Sequence, residues 1–195
     1  MARFIVLEGG EGAGKSTQAE ILAKDLGAVF TREPGGTAVG EALRRLVLDS
    51  ALPPLVARAE ALLMLAARAQ HVAEVIEPAL ARGQDVVCDR YSGSTLAYQG
   101  YARGLAVEEL ADLDRWATGG RVPDVVVLLD VPVALARRRR AASRPDRIER
   151  EADDFFERAR SGFRHLAAAD PARWRVVDGA LDVAAVAVAV RRAVG

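Results

Sequence analysis

Short apolar runs at residues 4–8, 28–31, 86–89, 125–130 and 174–177 alternate along the chain with longer stretches of helical periodicity. Runs such as VVVLLD are apolar at consecutive positions, the pattern of strands buried on both faces. Their alternation with helices predicts right-handed parallel crossovers, and so a three-layer α/β fold with a five-stranded parallel sheet flanked by helices. Within residues 55–82, Leu62, Leu65, Ala69, Val72 and Ile76 recur at intervals of three and four, which predicts a helix with that stripe against the core. Met64 and Arg68 are four apart and share a neighbouring face. The alternating Ala and Val of the last segment predict a helix ending at Arg191 and Arg192, where cations suit the carbonyl end.

Composition limits what such a fold could serve. The 195 residues are 51% hydrophobic and 28% charged, enough for one core, and residues 1–195 are expected to form a single domain. Basic and acidic residues both number 27, so no net field points to nucleic acid or an anionic membrane, and neither is expected as a partner. Any anion site must be local. Only Lys15 and Lys24 are lysines, and asparagine is absent. The single cysteine, Cys88, excludes an intrachain disulfide framework and points to a reducing compartment. The first residues hold too short an apolar run for a signal peptide. Residues 61–67, the longest charge-free helical stretch within 55–76, fall far below the ~20 that cross a bilayer. A soluble, cytoplasmic protein is expected.

The strongest local signal is GGEGAGKST, formed by Gly9, Gly10, Glu11, Gly12, Ala13, Gly14, Lys15, Ser16 and Thr17. It satisfies G-x-x-x-x-G-K-[ST], with the apolar strand FIVLE before it and a helical pattern through Ala19, Leu22, Ala23 and Leu26 after it. Glycines let backbone N–H groups turn inward around phosphate oxygens at the positive end of a helix. Lys15 is then placed to reach the β- and γ-phosphates of ATP, and the Ser16 hydroxyl to reach Mg²⁺. Retention of Lys in an Arg-dominated chain strengthens the assignment, because a compact ammonium and a planar guanidinium do not fill the same loop equivalently. Without asparagine the chain cannot build the Asn-Lys-x-Asp guanine reader of a GTPase, which leaves a phosphotransferase or an ATPase switch.

Two further strand ends carry TREPGGT, residues 31–37, and DRYSGSTLAYQG, residues 89–100, and DRIE follows at 146–149. With the P-loop and the Ala67-Arg68 pair, these ordered motifs make the chain resemble the bacterial thymidylate kinases over essentially its whole length. The resemblance implies a P-loop kinase fold and direct in-line transfer of the γ-phosphoryl group of ATP to dTMP, giving dTDP on the route to dTTP. Another nucleoside or nucleotide kinase is the nearest alternative activity. Asp89 is suited to bind Mg²⁺ directly or through water, and the planar fork of Arg90 to hold the acceptor phosphate. By the resemblance, Glu11 meets the 3′-hydroxyl of the acceptor sugar and the turn containing Pro34 borders the acceptor. Base recognition falls to Met64, Arg68, Ser94, Thr95, Tyr98 and Gln99, with Tyr98 against the sugar. Met64 departs from the family, which usually stacks a phenylalanine on the base there. Its thioether can still contact an aromatic ring, worth ~0.3–1.5 kcal/mol.

Arg137, Arg138, Arg139, Arg140, Arg144 and Arg147 concentrate positive charge around ASRPD, and the resemblance implies a lid near residues 137–150. Phosphoryl transfer without an activating partner needs arginines from the same chain. Arg147 is expected on the transferring phosphate, and Arg138 or Arg140 near adenine or phosphate. Gly12 stands at the P-loop position where related enzymes can carry a basic residue. His71 and His165 fall outside every motif and are expected in surface or capping roles. Asp130, at a strand end, reads as structural or lid-supporting. Homodimerisation is also implied by the resemblance.

Overall fold

The computed structural model describes residues 1–140 and 145–195. Strands β1 (Phe4–Gly9), β2 (Val29–Arg32), β3 (Val86–Asp89), β4 (Val125–Asp130) and β5 (Trp174–Asp178) form an all-parallel sheet in the order β2-β3-β1-β4-β5. Each begins and ends within one residue of its predicted run. Helices are α1 (Lys15–Leu26), α2 (Ala38–Leu48), α3 (Ala57–His71), α4 (Glu77–Ala81), α5 (Ser92–Thr95), α6 (Val107–Ala117), α7 (Val133–Arg140), α8 (Asp153–Ala169) and α9 (Val183–Val194). π-helical turns at Val72–Ile76 and Leu96–Ala102 join α3 to α4 and prolong α5.

Local chemistry sets the boundaries. Gly27 ends α1 in the left-handed region, and the Ala28 N–H closes back on the Ala23 carbonyl at 2.9 Å, so β2 starts at Val29. The side chain of Thr37 caps α2 by accepting from the Gly40 N–H at 2.9 Å, and Asp182 caps α9 by accepting from Ala185 at 2.9 Å.

Strand residues alternate between the two faces. Ile5, Leu7, Val87, Val127 and Leu129 pack with Leu22 of α1 and Val186 and Val190 of α9. On the other face Phe4, Val6 and Cys88 meet Val72, Ile76 and Tyr91, while Leu128 meets Tyr98, Phe155, Phe156 and Phe163. Glu8 follows Phe4 and Val6 onto that second face and is wholly buried.

The predicted apolar stripe holds at Leu65, Val72 and Ile76 but not at its first position: Leu62, expected in the core, is 57% exposed, and Ala61 and Arg68 are buried beside the stripe. Glu60, Arg68 and His71 are buried with it. Hydrophobic periodicity does not place these three in the core, and burial is possible here because each has a charged or polar partner from another element.

From β1 the chain moves to one side for β2 and β3 and to the other for β4 and β5. The crevice at the carboxyl ends of these strands is where ligands of open α/β sheets bind.

Candidate active site

The P-loop lies between β1 and α1, and two of its glycines, Gly9 and Gly12, are required by close packing. At Gly9, with φ +144°, a Cβ would stand 2.6 Å from the Leu129 carbonyl oxygen; at Gly12, with φ +74°, one would stand 2.5 Å from that of Ala136. Gly12 therefore cannot carry a basic side chain, and the aliphatic stem of Arg140 from α7 occupies the adjoining space. The Lys15 ammonium folds back to donate to the Gly10 carbonyl at 2.7 Å. Burial lowers its pKa, with Arg90 adding to the effect and Glu11, Asp89 and Glu8 opposing it.

Ser16 donates its hydroxyl hydrogen to Asp89 Oδ2, joining the start of α1 to the end of β3. Asp89 Oδ1 is buried and has no hydrogen-bond partner among the described residues. A hydroxyl oxygen beside a carboxylate with an unused oxygen is a donor set suited to a hard cation such as Mg²⁺, so these residues fit the ion.

Arg90 follows Asp89 and adopts φ +73°, the one non-glycine residue with positive φ among the described residues. Such a backbone persists only where the surroundings over-determine it. Here one guanidinium nitrogen donates to the Gly9 carbonyl at 3.1 Å and the Ser94 hydroxyl at 3.0 Å, while the other donates to Glu11 at 2.5 Å. The plane also lies over the Tyr98 ring, 5.2 Å from its centroid. Burial of Glu11 would raise its carboxyl pKa, but Arg90, Lys15, Arg140 and Arg44 together hold it below the ordinary carboxylate value.

Beyond this pair opens a cavity lined by Glu11, Glu33, Pro34, Arg44, Leu48, Met64, Arg68, Arg90, Ser94, Thr95, Tyr98, Gln99, Asp146 and Ile148. It brings together every residue that the sequence assigns to the acceptor. Arg68 is 3% exposed and commits three donors to its surroundings: Nε to Glu33 at 2.7 Å, one terminal nitrogen to Asp114 at 2.5 Å, and the other to the Tyr91 carbonyl at 3.0 Å. Two N–H groups of a five-donor guanidinium remain for a ligand. Gln99 donates to Glu60 at 2.8 Å. The hydroxyl of Tyr98 is buried without a partner among the described residues, and burial pushes its pKa up. Its ring is packed by Phe155 and Phe163.

The arginine-rich segment is divided. Arg140 packs over the Phe156 ring, 4.7 Å from the centroid, near Gly12. Arg138 is exposed. Arg137 pairs with Asp153, and Arg139 donates to the Gly179 carbonyl at 2.8 Å. Arg147 turns away from the P-loop, donating to the Asp49 carbonyl at 2.8 Å beyond the end of α2, while its neighbours Asp146 and Ile148 enter the cavity. Ser143 and Arg144 lie outside the described residues. Asp130 pairs with Arg160 at 2.7 Å.

His71 departs from its expected surface or capping role. It is fully buried, with Nε2 2.6 Å from the Thr31 hydroxyl and Nδ1 2.8 Å from Glu33. His165 is exposed and stacks on Tyr101. The Glu33, His71 and Cys88 donor atoms lie within 4.8 Å of one another, but the Arg68 guanidinium already supplies the cation bonded to Glu33. Sequence reasoning also missed Glu8, Arg44 and Asp114. Glu8 left one visible trace, a carboxylate closing an otherwise apolar strand; Arg44 and Asp114 sit on amphipathic helices where a charge is unremarked.

A P-loop facing, across an arginine-carboxylate pair, a second pocket lined by cations defines a P-loop kinase acting on a small acceptor. The family profile described as "Thymidylate kinase" matches residues 7–190. The thymidylate kinase of Desulforudis audaxviator is 48% identical over 193 residues, covering 96% of this chain and 87% of the relative. That of Bordetella petrii is 51% identical over 187 residues, covering 93% and 89%. A crystal structure of thymidylate kinase from Ehrlichia chaffeensis superposes with a TM-score of 0.82 at 30% identity, covering 99% of this chain and 98% of the other. The chain belongs to the thymidylate kinase family.

Proposed function

We propose that this enzyme transfers the γ-phosphoryl group of ATP to dTMP, forming dTDP for dTTP synthesis. The observation that carries the reading is the position of Arg90, which is bonded at once to the P-loop carbonyl of Gly9, to Glu11 and to Ser94 of the second cavity. A guanidinium there reaches the acceptor phosphate on one side and the transferring group on the other, which holds attacking and leaving oxygens near one line.

Lys15, now turned onto Gly10, has the reach to exchange that carbonyl for a phosphate oxygen. Glu11 accepts from the 3′-hydroxyl of the sugar while staying ionised against Arg90. Ser16 and Asp89 would hold Mg²⁺, which when bound would neutralise phosphate charge. Arg140 adds positive charge beside Gly12 and Arg138 serves as a lid residue toward the donor, whereas Arg147 must leave the Asp49 carbonyl to join them. The acceptor phosphate is already an anion at neutral pH, so no strong general base is required and no covalent intermediate forms. Arg68 and Gln99 donate to the pyrimidine edge, Thr95 and Met64 pack against the base, and Tyr98 lies against the sugar. Closure over ATP excludes water and limits its hydrolysis. The enzyme works in the cytoplasm as a homodimer.

A coupled ADP-release assay with dTMP, dUMP, dCMP, dGMP and thymidine tests this reading. dTMP should be the preferred acceptor, with weaker turnover of dUMP, because one methyl group is worth only ~1–3 kcal/mol of discrimination. ADP formed at the same rate with and without acceptor would reject the kinase reading.

A further inference from the structure

Glu8 is the last side chain of β1 before the P-loop, and no solvent reaches it. One of its oxygens accepts from the backbone N–H groups of Tyr91 and Ser94, each at 3.0 Å. The other accepts the Ser94 hydroxyl at 2.6 Å. A serine hydroxyl has one hydrogen and two lone pairs. With its hydrogen given to Glu8, Ser94 Oγ can only accept, and Arg90 donates to it at 3.0 Å. The direction of the chain is therefore set: guanidinium to hydroxyl to buried carboxylate. Gly93 permits the approach, since a Cβ there would stand 2.9 Å from a Glu8 oxygen.

We propose that Glu8 is a positioning residue for the acceptor phosphate: by taking the Ser94 hydrogen it keeps the Ser94 oxygen as an acceptor and so aims the Arg90 guanidinium. The inference rests on the reading of Arg90 as the ligand of the acceptor phosphate. Glu8 lies behind the site and attracts Arg90 directly through its charge, but its hydrogen-bonded link to Arg90 passes through Ser94. Any substitution that makes position 8 a donor toward Ser94 releases the Ser94 hydrogen, so the hydroxyl's lone pairs are no longer held toward Arg90. The Ser94 hydrogen is then free to turn toward Arg90, which has only hydrogens to offer, and the guanidinium loses one of its three contacts while keeping Gly9 and Glu11.

Glu8→Gln is close to isosteric and introduces that donor. Binding of dTMP and of thymidine, which lacks the phosphate, is measured by calorimetry at about pH 8 for the wild-type protein, Glu8→Gln, Ser94→Ala and the double variant, with near-ultraviolet circular dichroism reporting the fold. Loss of one charge-assisted contact should weaken dTMP binding by Glu8→Gln about tenfold relative to thymidine. Ser94→Ala removes the link while leaving Glu8 in place and should lower the same dTMP-to-thymidine preference. The double variant should lose little more than either single one. Equal weakening of both ligands, an unchanged preference in any folded variant, or additive losses in the double variant would overturn the proposal. Should Glu8→Gln not fold, Ser94→Ala alone decides: an unchanged preference there removes the link. A wild-type protein that fails to bind dTMP would instead strike the proposed function, so the two failures are told apart.

Discussion

Lys15 and Glu8 stand close in sequence, yet burial acts on them in opposite directions. For Lys15, burial favours the neutral amine, and the acids around it restore part of the charge. Replacing Lys15 with Ala should lower turnover by ~10²–10³, the usual loss of one transition-state donor, with the fold retained; steady-state kinetics at saturating dTMP would show it. Near-normal turnover would take Lys15 out of the mechanism. For Glu8, burial raises the pKa from 4.5 to about 7, against the lowering effect of Ser94, Arg90, Tyr91 and Arg68. Between these two values the folded protein binds more protons than the unfolded chain, so this group's contribution to stability is lost as pH rises through that window. Gln at position 8 cannot ionise. The stability of Glu8→Gln relative to wild type should therefore improve by roughly 2 kcal/mol between about pH 5 and about pH 8, read from urea unfolding at each pH. A constant difference would mean that Glu8 titrates at its ordinary value. His71 shows the limit of motif reading at this scale: it lies in no motif, and only its contacts with Thr31 and Glu33 reveal that it braces the turn bordering the acceptor cavity.

At the level of elements, the strands were legible almost to the residue because a sheet covered on both faces demands unbroken apolar runs, and few other structures do. The P-loop was legible for a related reason, since its geometry is made by neighbours in sequence. Helix α3 was not. Its buried face carries Glu60, Arg68 and His71, whose partners come from Gln99, Glu33 and Asp114, between 35 and 46 residues away. Periodicity weighs each residue by its own hydropathy and so does not place these three in the core, which lets Leu62 enter the predicted stripe. Their burial is stable only as a set. Arg68→Met should leave Glu33 and Asp114 facing each other without a cation and cost ~3–5 kcal/mol of unfolding free energy, measurable in urea. A loss below ~1 kcal/mol would show that the two acids relax without it. Helix α7 is the converse case. Its four consecutive arginines were visible as a charge cluster, but their division into one residue packed beside Gly12, one exposed and two engaged elsewhere depends on where Phe156, Asp153 and Gly179 fall.

For the molecule as a whole, zero net charge hides a strongly partitioned field. Cations gather at the crevice, where Lys15, Arg44, Arg90 and Arg140 stand near the two proposed phosphate positions and Arg68 near the proposed base position, with Arg90 paired to Glu11 and Arg68 to Glu33. Away from that edge the neighbouring helices α2, α3 and α6 leave Leu46, Leu62 and Trp116 exposed, at 47%, 57% and 83%. The proposed homodimer would cover these side chains. Light scattering should give the mass of two chains, and Leu62→Glu together with Trp116→Glu should give one; a wild-type mass near 20.8 kDa at working concentration would refute the dimer.

The sequence by itself determined the five strands, the α/β class and the phosphate loop, since each depends on composition or on residues adjacent in the chain; the side chains expected around an acceptor followed from the resemblance to the thymidylate kinases. Tertiary structure alone decided that Arg147 turns toward Asp49, that Arg68 and His71 are core residues, and that Glu8 backs Arg90 through Ser94. The physical reason is the same in each case. A buried charge is tolerated only beside its partner, and the partner's distance along the chain, 86 residues for Glu8 and Ser94, carries no signature in local pattern.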